Sequence, residues 1–293
     1  MNKDSRIGCG MCRDYGNSGY RLDQSLDEDN PGGRVILCEC VQKLARPEEL
    51  DHRRVPAPSY EELLAGGERT DPADPTAFER VQTTVNRLNG IFGRANMPYK
   101  GHLIDGFNAL DADSKPINGV IRARQQVKQV FQRIIAGEPI GAYINGPTGG
   151  GKTFLACALL TQLILWTRRS GRYVKVTTGF LEKLRYSYSE DANAPTTWEV
   201  IGRLANVPYL VLDDLGVERR TDWVDEWIYN LIDARYEKRN VTIVTSNYEP
   251  EHFQSMSEGR VTSRLKHMCM IVRSPEQDIR EYYDLHGNPR RFG

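Results

Sequence analysis

From residue 117 onward, short apolar runs alternate with longer stretches in which apolar residues recur every third or fourth position. The runs predict β-strands at Ile140–Asn145, Tyr173–Thr177, Tyr209–Leu212, Val241–Thr245 and Met268–Val272. The stretches between them predict helices. One covers Val120–Ala136 and stops at Gly137; another covers Thr153–Trp166. This alternation predicts an α/β fold with a mostly parallel five-stranded sheet, whose ligands bind beyond the carboxyl ends of the strands. Upstream, Asp74-Pro75 reads as N-cap and first residue of a helix carrying Phe78, Val81, Val85, Leu88 and Phe92 at helical spacing. Pro56, Pro58, Gly66, Gly67 and Pro72 mark the residues before it as a linker. Three segments are expected: a small module at 1–51, a linker and helix at 52–96, and a large domain at 97–293.

Composition adds little about partners. Lys+Arg and Asp+Glu are both 39, so a nucleic-acid surface must be a local patch. Met1-Asn2-Lys3-Asp4 is followed by no apolar run, and the run Phe154–Trp166 is too short to span a bilayer. A cytoplasmic chain with no membrane contact is expected.

The chemistry concentrates at the predicted strand ends. Gly146-Pro147-Thr148-Gly149-Gly150-Gly151-Lys152-Thr153 fits G-x-x-x-x-G-K-[ST], the phosphate-binding loop of nucleotide hydrolases. Its glycines let backbone N–H groups turn inward around phosphate oxygens. Lys152 brings a positive charge to the β- and γ-phosphates of ATP, and the Thr153 hydroxyl is placed to ligate Mg²⁺. Tyr209-Leu210-Val211-Leu212-Asp213-Asp214 is a buried strand ending in two acids. Asp213 is expected to hold Mg²⁺ through water and Asp214 to orient the attacking water. Paired acids can also simply cap the next segment. Thr245-Ser246-Asn247 ends the following strand; the Asn247 amide could hold the water or the γ-phosphate, though Ser-Asn also makes a good turn.

Cys9, Cys12, Cys38 and Cys40 form a C-x₂-C…C-x-C arrangement within the first forty residues. Four clustered thiols fit tetrahedral Zn²⁺ in a unit too small to hold a core alone; an iron–sulfur cluster or free thiols remain open. Cys157 and Cys269 lie in apolar segments and read as core. Arg168–Tyr186 interleaves cations with aromatics. Lys183, Arg185 and Tyr186 are the expected single-stranded DNA contacts, while Phe180 and Leu184, four apart on one helix, read as core.

Gly146–Thr153, Leu212-Asp213-Asp214-Leu215-Gly216, Asp233-Ala234-Arg235-Tyr236, Val244-Thr245-Ser246-Asn247 and Arg260-Val261-Thr262-Ser263-Arg264-Leu265, in this order, resemble the DnaC/DnaI-type replicative-helicase loaders. These are AAA+ ATPases with the IstB transposition helpers as relatives. The Cys-rich start, with Cys12-Arg13-Asp14-Tyr15-Gly16, resembles loaders that carry a zinc-binding helicase-docking module. The resemblance implies an AAA+ P-loop NTPase that loads a hexameric ring helicase onto single-stranded DNA during replication. It further implies self-association through the ATPase domain, with Arg264 as an arginine finger reaching a neighbour's ATP and Arg280 as sensor 2. An IstB-like helper acting with a transposase is the alternative. A small-molecule kinase would need an acceptor pocket and a lid arginine cluster, and would have no use for Arg260 and Arg264.

Overall fold

The computed structural model describes residues 20–23, 34–37, 77–99, 101–108, 117–189, 191 and 193–283. The chain divides into two compact units, Met1–Gly93 and Arg94–Gly293. In the first, β1 (Tyr20–Asp23) and β2 (Arg34–Leu37) form an antiparallel hairpin with Tyr20 opposite Leu37. The predicted amphipathic helix is present as α1 (Ala77–Ala95), with Val85, Leu88 and Phe92 of its apolar stripe buried. Asn89 of α1 accepts from Val35 N–H at 2.8 Å and donates to Val35 C=O at 3.1 Å. The expected linker helix therefore bonds the hairpin and belongs to the same unit as it. Cys9, Cys12, Cys38 and Cys40 lie outside the described residues.

The second unit is built on a parallel sheet of β3 (Gly141–Asn145), β4 (Gly171–Lys175), β5 (Tyr209–Leu215), β6 (Val241–Ser246) and β7 (Cys269–Arg273), in the spatial order β4-β5-β6-β3-β7. All four pairings are parallel, as the alternating pattern predicts. Helices α2 (Val120–Ile135) and α3 (Lys152–Thr167) pack together on the sheet. Helix α3 is buried on nearly all sides, which its apolar sequence requires. A second core joins Tyr143, Leu210, Leu212 and Val244 of the sheet to α5 (Thr197–Ala205), α6 (Asp222–Glu237) and α7 (Arg260–Met268). Cys157 and Cys269 are buried free thiols in these layers.

Two strands depart from the sequence pattern. The predicted strand Tyr173–Thr177 begins instead at Gly171, where a Cβ would meet Leu160 Cδ1 at 2.5 Å. It ends at Lys175, because Val176–Leu181 coils into a π-helical turn that leads into α4 (Glu182–Tyr186). Strand β5 runs three residues past the predicted Leu212. Leu212 pairs with Val244 and Leu215 with Ser246, so Asp213 and Asp214 lie opposite the single residue Thr245. This β-bulge sets the acids inside the strand rather than after it.

Arg235 of α6 is fully buried without a carboxylate partner among the described residues. Its guanidinium donates to Thr242 Oγ1 (2.9 Å) and to the carbonyls of Leu204 (2.7 Å), Val207 (2.8 Å) and Val241 (2.6 Å). It thus ties the end of α5 to the start of β6. Among the described residues no helix is long and apolar enough to cross a membrane.

Candidate functional site

The loop Gly146–Gly151 joins β3 to α3 and leaves the first N–H groups of α3 facing out of the helix end, the arrangement that attracts an anion. Gly146 (φ 146°) and Gly151 (φ 77°) adopt backbone angles that L side chains avoid. Space forbids side chains as well. A Cβ on Gly146 would meet Ser274 Oγ at 2.2 Å, and one on Gly151 would meet the Phe107 ring at 2.6 Å. The segment after β7 causes part of this crowding. Ser274 N–H donates to Asn145 C=O at 2.9 Å and Ile279 N–H to Gly149 C=O at 3.0 Å. At the base of the loop Asn145 Oδ1 is buried with no partner among the described residues. Lys152 is buried, and its Nζ donates to Gly146 C=O (3.0 Å) and Pro147 C=O (2.7 Å). Burial pushes its ammonium below the ordinary lysine range, while Asp214 and then Asp213 pull it back up. The loop thus sets one cation, Lys152, at a helix N-terminus, the setting in which phosphate binds.

The acids stand beside this cradle. Asp213 accepts three hydroxyls: Thr153 Oγ1 (2.9 Å) and Thr245 Oγ1 (2.7 Å) on Oδ1, and Tyr173 Oη (2.6 Å) on Oδ2. Burial pushes the Asp213 carboxyl above the usual carboxylate range, against those three donors. Thr153 and Asp213 bring side-chain oxygens together, the hard donors that Mg²⁺ prefers. Asp214 adopts φ 61°, donates its N–H to Thr245 Oγ1 at 2.9 Å, and ion-pairs with Lys175 Nζ at 3.1 Å.

Asn247 is exposed beyond the end of β6, and the β6 side chain that touches both acids is Thr245. Arg264 is partly buried. It ion-pairs with Asp233 and lies over the rings of Tyr229 (5.0 Å) and Tyr236 (5.5 Å). Arg260, one turn earlier, is more than half exposed and touches Glu258 and the Tyr229 ring. Arg280 bonds Asp278, whose carboxylate lies against Gly149 of the phosphate loop. Lys183, Arg185 and Tyr186 are all exposed on α4, with Phe180 and Leu184 buried as expected. Arg185 lies 5.6 Å over the Trp223 ring, and the Tyr186 hydroxyl bonds Asp191.

Sequence reasoning missed an aromatic cluster around Phe154, the residue after Thr153. Tyr99, His102, Phe107 and Tyr283 surround its ring at 5.6, 5.0, 5.7 and 5.6 Å. These residues come from three distant segments, so no local pattern signals them. It also missed Tyr173, whose hydroxyl is taken up by Asp213.

The chain is similar to known proteins. Residues 141–282 match the family model described as IstB-like ATP binding protein. The replicative helicase loader DnaI of Bacillus subtilis (strain 168) is 29% identical over 128 residues, 42% of this chain and 39% of DnaI. The replicative helicase loader DnaC of Escherichia coli (strain K12) is 23% identical over 214 residues, 70% of this chain and 80% of DnaC. The insertion sequence IS1162 putative ATP-binding protein of Pseudomonas fluorescens is 30% identical over 157 residues, 51% of this chain and 64% of that protein. The crystal structure of the DnaC helicase loader superposes with a TM-score of 0.50 at 24% identity, over 60% of this chain and 98% of that one. The chain is thus similar to DnaC/DnaI-type loaders and to IS21-type ATP-binding proteins, and its second unit has the α/β P-loop fold of AAA+ type with a five-stranded parallel sheet.

Proposed function

We propose that this chain is an ATP-dependent helicase loader: a cytoplasmic AAA+ ATPase that binds a hexameric replicative helicase and single-stranded DNA and deposits the one on the other. The observation that carries the reading is the match to DnaC, which covers 80% of that loader and so extends well beyond the nucleotide-binding loop. The match to DnaI spans 39% of that loader's length.

In this reading the Gly146–Thr153 backbone and Lys152 hold the ATP phosphates. Thr153 and Asp213 hold Mg²⁺, which when bound draws charge from the phosphate oxygens. Asp214 orients the attacking water, assisted by Asn247 or Thr245. Arg280 reaches the γ-phosphate from the segment that lines the loop. Lys183, Arg185 and Tyr186 face the DNA. Self-association brings an arginine of α7, Arg264 or its neighbour Arg260, to the next subunit's ATP.

Zinc at Cys9, Cys12, Cys38 and Cys40 belongs to the same proposal and rests on the sequence. Purified chain should carry about one zinc per molecule, as a four-thiolate site requires. Metal-free protein with full helicase binding would remove zinc from the account.

An IstB-like helper acting with a transposase is the second reading, favoured by the family match of residues 141–282 and by the IS1162 relative. Size-exclusion chromatography of the full chain with ATP and either a purified ring helicase or an IS21-type transposase separates the two. Co-elution with the helicase supports the loader; co-elution with the transposase alone replaces it.

A further inference from the structure

Two segments leave the sheet beside the acids: the turn at 216–218 after β5 and the stretch at 247–253 after β6. They are fastened to each other. Ser246 Oγ, at the end of β6, donates to Leu215 C=O at 2.7 Å and accepts the Tyr248 N–H at 3.1 Å. Gly216 adopts φ 93°, and a Cβ there would meet the Tyr248 ring at 2.9 Å and the Phe253 ring at 3.1 Å. A third strand joins them. Tyr143 of β3 is fully buried, and its hydroxyl donates to Tyr248 C=O at 2.8 Å. The same strand runs on into the phosphate loop at Gly146.

We infer that Tyr143 is a positioning residue for ATP hydrolysis, whose hydroxyl sets the Asn247 turn relative to the phosphate loop. Asn247 lies between Ser246 and Tyr248, and both neighbours are held. Tyr248 is bonded at its N–H and at its C=O, so the peptide that carries Asn247 has little freedom to turn. The Ser246 and Gly216 contacts tie that turn to β5 and its acids. The Tyr143 bond ties it to the strand that carries the loop. Burying a phenol hydroxyl is costly unless it is bonded, and phenylalanine would fill the same core without that cost. The use of a tyrosine here therefore lies at its tip, on the Tyr248 carbonyl. One such bond, if it must hold in the transition state, corresponds to about a two- to tenfold change in rate. ATP is gripped by the loop itself, so the effect belongs in kcat and not in KM.

This role rests on Asn247 acting on the water or the γ-phosphate, and the test separates the two. ATP turnover of the full chain is measured across protein concentrations for Tyr143→Phe, Asn247→Ala and the Tyr143→Phe/Asn247→Ala double variant, with ATP binding as the check on folding. Tyr143→Phe should lower kcat by about two- to tenfold at unchanged KM. Asn247→Ala should lower it at least as far, and the double variant should be no slower than Asn247→Ala, because the hydroxyl acts through that residue. If Tyr143→Phe fails to fold, Tyr248→Ala, which lifts the ring off Gly216 at a half-exposed position, takes its place in the same cycle, with Tyr248→Phe expected to keep the parental rate. Parental kcat in the Tyr143→Phe chain (or in Tyr248→Ala where that replaces it), or a double variant slower than Asn247→Ala by the full factor, overturns the positioning role and leaves Asn247 in place. Parental turnover by Asn247→Ala overturns the assignment of Asn247, and the role of Tyr143 with it.

Discussion

The Thr245 hydroxyl donates to Asp213 Oδ1 at 2.7 Å and accepts the Asp214 N–H at 2.9 Å, so one oxygen fixes both acids at the bulged end of β5. Thr245→Val keeps the side-chain shape and removes that oxygen. The Asp214 N–H would then lack its partner in a half-buried position, at a cost of about 1–3 kcal/mol of stability. Thermal unfolding should register that change, and ATP turnover should fall while ATP binding persists. Unchanged turnover would mean that the hydroxyl only fills space.

Binding and hydrolysis should separate between Lys152 and Asp214. Lys152→Ala removes the cation enclosed by the loop and should weaken ATP binding. Asp214→Asn should leave binding largely intact and reduce turnover by about 10²–10⁴-fold, the range for a general base. Equilibrium binding of a fluorescent ATP analogue beside a phosphate-release assay reads both. Equal weakening of binding in the two variants would contradict the division of roles.

The two arginines of α7 differ in what they touch. Arg264 is held by Asp233 between two tyrosine rings, while Arg260 is exposed. A finger must stay charged and reach a phosphate in another subunit. Either arginine replaced by Ala should bind ATP and fail to hydrolyse it if that arginine is the finger, and mixing with the Lys152→Ala chain should restore part of the activity at shared interfaces. Arg264→Ala should in addition lower the melting temperature, because Asp233 is left half-buried without its cation. If neither variant complements although the chains co-assemble, hydrolysis does not use an arginine of this helix.

Single-stranded DNA binding should weaken steeply with salt, through counterion release. Lys183→Ala with Arg185→Ala should lower affinity and reduce the salt slope by about one for each phosphate that is no longer neutralised. Tyr186→Ala should cost about 1–3 kcal/mol if the ring stacks on a base. Fluorescence anisotropy across salt concentrations measures all three. Unchanged slopes would move the DNA surface off α4.

Much of this was legible in the sequence. Local patterns carried the five strands, the loop at Gly146–Thr153 and the paired acids, because each depends on residues adjacent in the chain. The apolar length of α3 and the burial of Phe180 and Leu184 were legible for the same reason. What was not legible needed the strand order. Asn247 was expected to hold the water or the γ-phosphate; the bonds to the acids are made two residues earlier, by Thr245, because a bulge sets two residues of β5 against one of β6. Tyr173 and Lys175 look like surface residues until β4 is placed beside β5. Arg235, within a stretch resembling the loaders, is a buried strut whose partners come from α5 and β6. The cluster around Phe154 joins segments with no shared periodicity.

The central claim is that this chain deposits a ring helicase on single-stranded DNA under the control of ATP. The most direct measurement is retention of a purified hexameric replicative helicase on circular single-stranded DNA, where a closed ring has no free end to thread. With the chain and ATP present, helicase should become bound to the circle and resist a salt wash, and the Lys152→Ala chain should fail to support this. Helicase retention that is the same with and without the chain, at concentrations where the chain binds both ATP and DNA, would contradict the account.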